Sequence, residues 1–117
     1  MAITIVLTGC FALTLWARSI PTASAGYIGP ETNGSRYVIC QVFGRYCRQA
    51  IAVARCESRF SVRSTNGQYL GLFQMGSWER RTYGHGQDAW SQARAAHRYF
   101  VASGRDWSPW TCKPWHA

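Results

Sequence analysis

The run Arg55-Cys56-Glu57-Ser58-Arg59-Phe60 sets one carboxylate between two guanidinium groups, beside a cysteine and at the end of an apolar stretch. Carboxylates are scarce in this chain, which has 5 Asp and Glu against 13 Lys and Arg. Two chemistries suit Glu57. It can be a solvated surface group paired with Arg55 or Arg59, or it can be a general acid. An acid must hold its proton near the working pH, so its pKa has to rise through desolvation. Neighbouring guanidinium groups pull the other way. Helical spacing permits the second chemistry: Arg55 and Arg59, four apart, share a face, and Glu57, two from each, lies toward the opposite side. A crosslink at Cys56 would hold the backbone beside Glu57 rigid, and the Ser58 hydroxyl is placed to orient the carboxylate.

More candidates follow a turn-rich segment, residues 61–68 (SVRSTNGQ), in which Asn66-Gly67 signals a hairpin. Residues 69–75 (YLGLFQM) read as a strand entering a helix. Tyr69 offers an aromatic ring for stacking on a ligand, and Gly71 lets a ligand approach the backbone closely. Trp78 is a further aromatic platform. His85 belongs to an exposed loop, His97 to a half-buried helix position and His116 to the tail. No CxxC pair occurs and the cysteines are scattered, which disfavours zinc. Acids are too sparse for calcium. No metal site and no cofactor is expected.

The elements that must position these residues are mostly helical. Positions 38, 39, 42 and 43 form an apolar stripe over residues 36–43. An alanine-rich helix is expected over 46–57. Asp88 caps a third helix, which Gly104 stops. Its inward stripe is expected to be Trp90, Ala93, Ala96, His97 and Phe100, with Trp90 and Trp107 in the core. The tail from Arg105 to Trp115 carries three tryptophans and Cys112. The fold class expected is mainly α with a small β-hairpin, stapled by disulfides.

Residues 2–16 are apolar or small, and Ala23-Ser24-Ala25 fits a signal-peptidase site. The expected organisation is a signal peptide over 1–25, a flexible lead-in over 26–35 and one domain over 36–115. Cleavage leaves about 92 residues. The protein is then secreted or wall-associated. An uncleaved anchor and a lipoprotein box at Leu7-Thr8-Gly9-Cys10 are the lesser alternatives, and no Lys or Arg precedes the apolar run. Without Cys10, four cysteines remain, an even set that reads as two disulfides in an exported chain. Cys47 and Cys56 on one helix stand about 13 Å apart, too far to bridge. Of the other two pairings, Cys40–Cys47 with Cys56–Cys112 is preferred, provided Gly44 breaks the chain between Cys40 and Cys47. The formal charge of +8 seeks polyanions. Nucleic acid, lipid headgroups and the anionic wall polymers of a bacterium all qualify, and export argues against nucleic acid.

Glu57-Ser58, the turn-rich segment and Gly71-Leu72-Phe73-Gln74, in that order, resemble the soluble lytic transglycosylase domain of the goose-type lysozyme superfamily. Val53-Ala54-x-Cys56-Glu57-Ser58, with Cys112 near the end, is similar to the resuscitation-promoting factors and related small exported wall enzymes. The resemblance spans roughly residues 37 to 112. Residues 92–100 (QARAAHRYF) match the family's long helix only loosely, so Tyr99 is not carried over as a site residue. Cys40 and Cys47 lie outside the pattern. The resemblance implies a lysozyme-like α+β fold and a peptidoglycan lytic transglycosylase that forms 1,6-anhydro ends. Glu57 would be its single acid and base, and Gln74, an amide that both donates and accepts, would contact substrate.

Most glycosidases need two carboxylates about 5–9 Å apart. The remaining acids look unsuited: Glu31 sits in the lead-in, Asp88 is a cap, and Glu79 and Asp106 each adjoin an arginine. One-carboxylate chemistry therefore fits best. The expected partner is the peptidoglycan glycan strand, met by a monomer without stable membrane contact once the leader is gone. A hydrolytic lysozyme on the same fold is the nearest rival. A non-catalytic wall-binding or growth-signalling module is next, and a cationic membrane-active protein is last, because the arginines are dispersed.

Overall fold

The computed structural model describes residues 30–116. The expected leader, with its cleavage site and the Leu7 to Cys10 box, lies outside that range. The first helix, α1 (Pro30–Phe43), starts earlier than residue 36 and takes in part of the expected lead-in. Pro30 suits a helix start, where its missing N–H is not needed. Gly44, at φ 54°, leaves the helical conformation and opens a 3-10 turn over Gly44–Tyr46. That break folds Cys47 back on Cys40, and the two are bridged with Cα atoms 4.4 Å apart.

Helix α2 (Cys47–Ser58) buries Ala50, Val53 and Ala54. It ends at Arg59, whose left-handed backbone lets its N–H reach Arg55 O at 3.0 Å. A two-stranded antiparallel sheet follows, β1 (Thr65–Asn66) and β2 (Tyr69–Leu70), with Thr65 opposite Leu70 and Asn66 opposite Tyr69. The hairpin stands where Asn66-Gly67 puts it, although Gly67 and Gln68 form its tip. The chain then reverses again. Leu70 and Met75 exchange backbone hydrogen bonds of 3.1 Å, closing residues 71–74 into a tight loop. The strand therefore does not run into a helix. Helix α3 (Ser77–Tyr83), which the sequence pattern did not disclose, begins only after Gly76. Helix α4 (Ala89–Ala102) is capped by Asp88, whose carboxylate accepts from Ser91 N–H at 3.1 Å. Gly104, at φ 79°, ends it.

Helix α1 packs against both α2 and α4, and their shared core is strongly aromatic. Phe43, Phe73, Phe100 and Trp107 lie within ring contact, with Phe100 and Trp107 centroids 4.4 Å apart. The Trp107 indole N–H donates to Gln49 Oε1 at 2.8 Å, as a buried indole requires. His97 is half-buried, edge-on to Phe43, as expected. Trp90 is not core. It is 37% exposed, and the Arg94 guanidinium lies 5.2 Å from its ring centroid. The buried face of α4 is Gln92, Ala93, Ala95, Ala96 and Phe100, which rotates Trp90 outward.

The second disulfide joins Cys56 to Cys112, with Cα atoms 5.9 Å apart. Two disulfides point to an oxidising, extracytoplasmic environment. Among the described residues no helix is long and apolar enough to cross a membrane. The two bridges close loops of very different length, with separations of 56 and 7 residues. Replacing Cys56 and Cys112 by serine should cost roughly 4 kcal/mol of unfolding free energy, against roughly 2 for Cys40 and Cys47. Urea denaturation of the two double variants measures the difference.

Candidate active site

Glu57 occupies the last turn of α2, one residue after the crosslinked Cys56. Its carboxylate Oε1 accepts from the Cys112 backbone N–H at 3.0 Å. The half-buried carboxyl is pushed up from its ordinary pKa, chiefly by desolvation. The Cys112 N–H and the charge of Lys113 oppose that shift without cancelling it. The two flanking arginines take no part. The Arg55 guanidinium lies over the Phe60 ring, 5.9 Å from its centroid, and Arg59 is exposed. Lys113 is the only lysine in the chain. Its ammonium donates to Trp107 O and Ser108 O, both at 2.9 Å, and to Trp110 O. Three donors on one atom gather the tail into a closed loop over the end of α2.

The carboxyl opens on a cleft of about 310 Å³ that is also lined by Asn66, Tyr69, Gln74, Glu79 and Tyr99. That volume is at the small end of ligand sites, which run to about 300–1,000 Å³. Gln74 is held in a left-handed backbone conformation, φ 45°. Its amide Nε2 donates to Ser64 O at 3.2 Å and Gly71 O at 3.0 Å. Both amide protons are thus committed to the loop, and Oε1 is left as the acceptor offered to a ligand. Tyr69, 44% exposed, supplies an open ring. Tyr99 stacks between Tyr83 and Trp110, at 5.0 and 4.9 Å. Burial raises its pKa, and the Glu79 charge adds to the effect, so its phenol stays a proton donor.

The loop that carries Gln74 has its backbone polar groups fixed from several sides. Gly71 N–H donates to Ser64 O at 2.8 Å, Leu72 N–H to Gln92 Oε1 at 2.8 Å, and the Trp110 indole to Phe73 O at 3.0 Å. Ser58 is part of this scaffold and does not orient Glu57. Its hydroxyl is buried and donates to Leu72 O at 2.8 Å, with Ala54 O at 3.1 Å. Gly71 does not line the cleft either. It is buried at φ 79°, and a Cβ there would stand 2.3 Å from Gln92 Oε1. Its smallness serves Gln92, whose Nε2 also donates to Val62 O and Gly86 O, at 3.0 and 2.8 Å. Trp78 does not line the cleft: it is 55% exposed and meets Tyr83 edge-on.

No family model, curated protein or solved structure matches the chain.

Glu57, Tyr69 and Gln74 therefore come together, whereas Ser58, Gly71 and Trp78 do not join them. Two residues set aside on sequence grounds, Glu79 and Tyr99, complete the cleft. For Glu79 the adjoining Arg80 was misleading, because Arg80 donates to Gln68 O and Met75 O. Gln92 did carry a signal: it is a polar residue on the apolar stripe of α4, which a buried hydrogen-bonding role explains.

Two predictions follow from this geometry. A carboxyl whose pKa is raised on folding binds its proton more tightly in the folded state. The Glu57 contribution to stability is therefore full below the unfolded-state pKa and is lost as pH rises through the folded value. Glu57→Gln removes that loss, so the variant should match the wild type in acid and exceed it at neutral pH, as read from urea midpoints. Gly71→Ala should cost about 2 kcal/mol or more, because it strains the backbone and displaces Gln92 from Leu72. The same denaturation series checks it.

Proposed function

We propose that the chain is an exported, lysozyme-like lytic transglycosylase. It cleaves the bond between N-acetylmuramic acid and N-acetylglucosamine in peptidoglycan and leaves 1,6-anhydro ends. The observation that carries this reading is Glu57: a carboxyl with a raised pKa, held rigidly at the edge of a polar cleft. The resemblance of Glu57-Ser58 and Gly71-Leu72-Phe73-Gln74 to that family supports it.

In the first step protonated Glu57 gives its proton to the oxygen that links the two sugars, and the bond from that oxygen to muramyl C1 breaks. The N-acetyl group of the same muramyl residue stabilises C1. In the second step the Glu57 carboxylate takes the proton of the muramyl C6 hydroxyl, and O6 bonds to C1. The acid is regenerated, and neither water nor a second side chain is consumed. Gln74 Oε1 accepts from a sugar hydroxyl or amide, and the Tyr69 ring packs on a sugar face. The cationic surface holds the protein to anionic wall polymers.

One observation favours a second reading. Glu79 lines the same cleft, so a carboxylate pair is present for hydrolysis with water as nucleophile. The products separate the two, since anhydro ends are lighter than reducing ends by one water. On purified walls Glu57→Gln should release sugar about 10²–10⁴-fold more slowly than the parent. Mass spectrometry of the parent's products should give anhydro ends, and Glu79→Gln should leave that product unchanged. Reducing ends that vanish in Glu79→Gln would establish the hydrolase instead. Undiminished release by Glu57→Gln would overturn both.

A further inference from the structure

A second cavity, about 300 Å³, lies behind the hairpin. It is nearly the size of the cleft, and the hairpin is the wall between them. Successive strand residues face opposite sides of a sheet. The cross-strand pair Asn66 and Tyr69 accordingly lines the Glu57 cleft, and the pair Thr65 and Leu70 lines the second cavity.

The lining chemistry selects an anion. Arg63, Thr65, His85 and Gln87 contribute to the walls, and no carboxylate does. Arg63 is exposed, and among the described residues its guanidinium has no hydrogen-bond or ion-pair partner. Asp88, near Gly86, is ionised, and its carboxylate is turned to the start of α4, where it accepts from the Ser91 backbone N–H at 3.1 Å and hydroxyl at 2.5 Å. The charge of Arg80 reaches His85, and together with burial it lowers the imidazole pKa. His85 is thus a neutral donor and acceptor in the lining that Arg63 shares. Gln92 closes the floor with its amide already committed.

We propose that this second cavity binds a carboxylate of the peptide attached to the muramyl lactyl group of a strand seated in the cleft. The proposal rests on the peptidoglycan reading above. The two-stranded hairpin is all that separates the cavities, and an extended peptide advances about 3.3–3.6 Å per residue. Arg63 pairs with the carboxylate, and Thr65 and Gln87 supply hydrogen bonds to the peptide backbone. The cavity is then a specificity site that favours glycan still carrying its peptides.

The test has two arms on the disulfide-bonded protein. In the first, a synthetic stem-type tetrapeptide with a free C-terminal carboxylate is titrated in and followed by backbone amide shifts. Shifts at Arg63, Thr65, His85 and Gln87, weakened in Arg63→Gln and absent with the C-terminal amide form of the peptide, are expected. Shifts absent there, or equal for acid and amide, overturn the proposal. In the second arm, kcat/KM is compared on intact glycan and on glycan stripped of peptides. Arg63→Gln should lower the intact-to-stripped ratio by about tenfold, and Thr65→Val should lower it less. An unchanged ratio in both variants overturns the proposal. Should the wild type cleave neither substrate, the cleavage reading fails by itself, and the titration still decides the cavity.

Discussion

Residue 112 is the point on which the structure turns. Its side chain is bonded to Cys56, and its backbone N–H is bonded to Glu57. Two successive residues at the end of α2 are therefore fastened to one residue of the tail. A helix end is ordinarily the most hydrated part of a helix, and a glutamate there titrates as in water. Here the tail is drawn across that end and removes part of its water. Desolvation at this crosslinked end raises the Glu57 pKa, and the Cys112 N–H donates to the carboxyl. Trp107 and Trp110 anchor the same tail in the aromatic core, and Lys113 closes it on itself.

The opposite wall of the cleft is fixed by a separate device. Ser58 and Gln92 each hold one backbone group of Leu72, the carbonyl and the N–H respectively. Helices α2 and α4 thereby grip a loop that has no regular structure of its own. Gln74 gains a defined position from that grip despite its left-handed backbone. Buried polar groups of this kind stabilise only when every member is satisfied, and none of the buried side-chain polar atoms described here lacks a partner. Acid and amide thus sit on two rigid bodies that meet at the cleft.

Much of this was legible in the sequence, for identifiable reasons. Helices α1, α2 and α4 showed through apolar spacing and through Asp88, Gly44 and Gly104, all of which act locally. Helical rise excluded one cysteine pairing, and the one preferred of the other two is the one formed. The arginine spacing permitted the guanidinium groups to stand clear of Glu57, although Arg59 does so from beyond the helix end, in a left-handed backbone. What failed were inferences about which atom meets which. Ser58 adjoins Glu57 in sequence, yet its hydroxyl answers Leu72. Trp90 fits a stripe that is rotated slightly from the buried one, and Arg94 makes its exposure favourable. Glu79 looked like a surface partner of Arg80, but the reversal at Gly71–Gln74 carries α3 to the rim of the cleft. That reversal depends on contacts with α2 and α4, which no local pattern encodes.

The central claim is that the Glu57 carboxyl keeps its proton at a higher pH than a solvated glutamate does. Carbon-13 NMR of the side-chain carboxyls, titrated in the disulfide-bonded protein, measures it directly. The account predicts a Glu57 midpoint above that of an unfolded reference peptide. A midpoint at or below the reference would show a carboxylate stabilised by Lys113 and the Cys112 N–H, and would contradict the account.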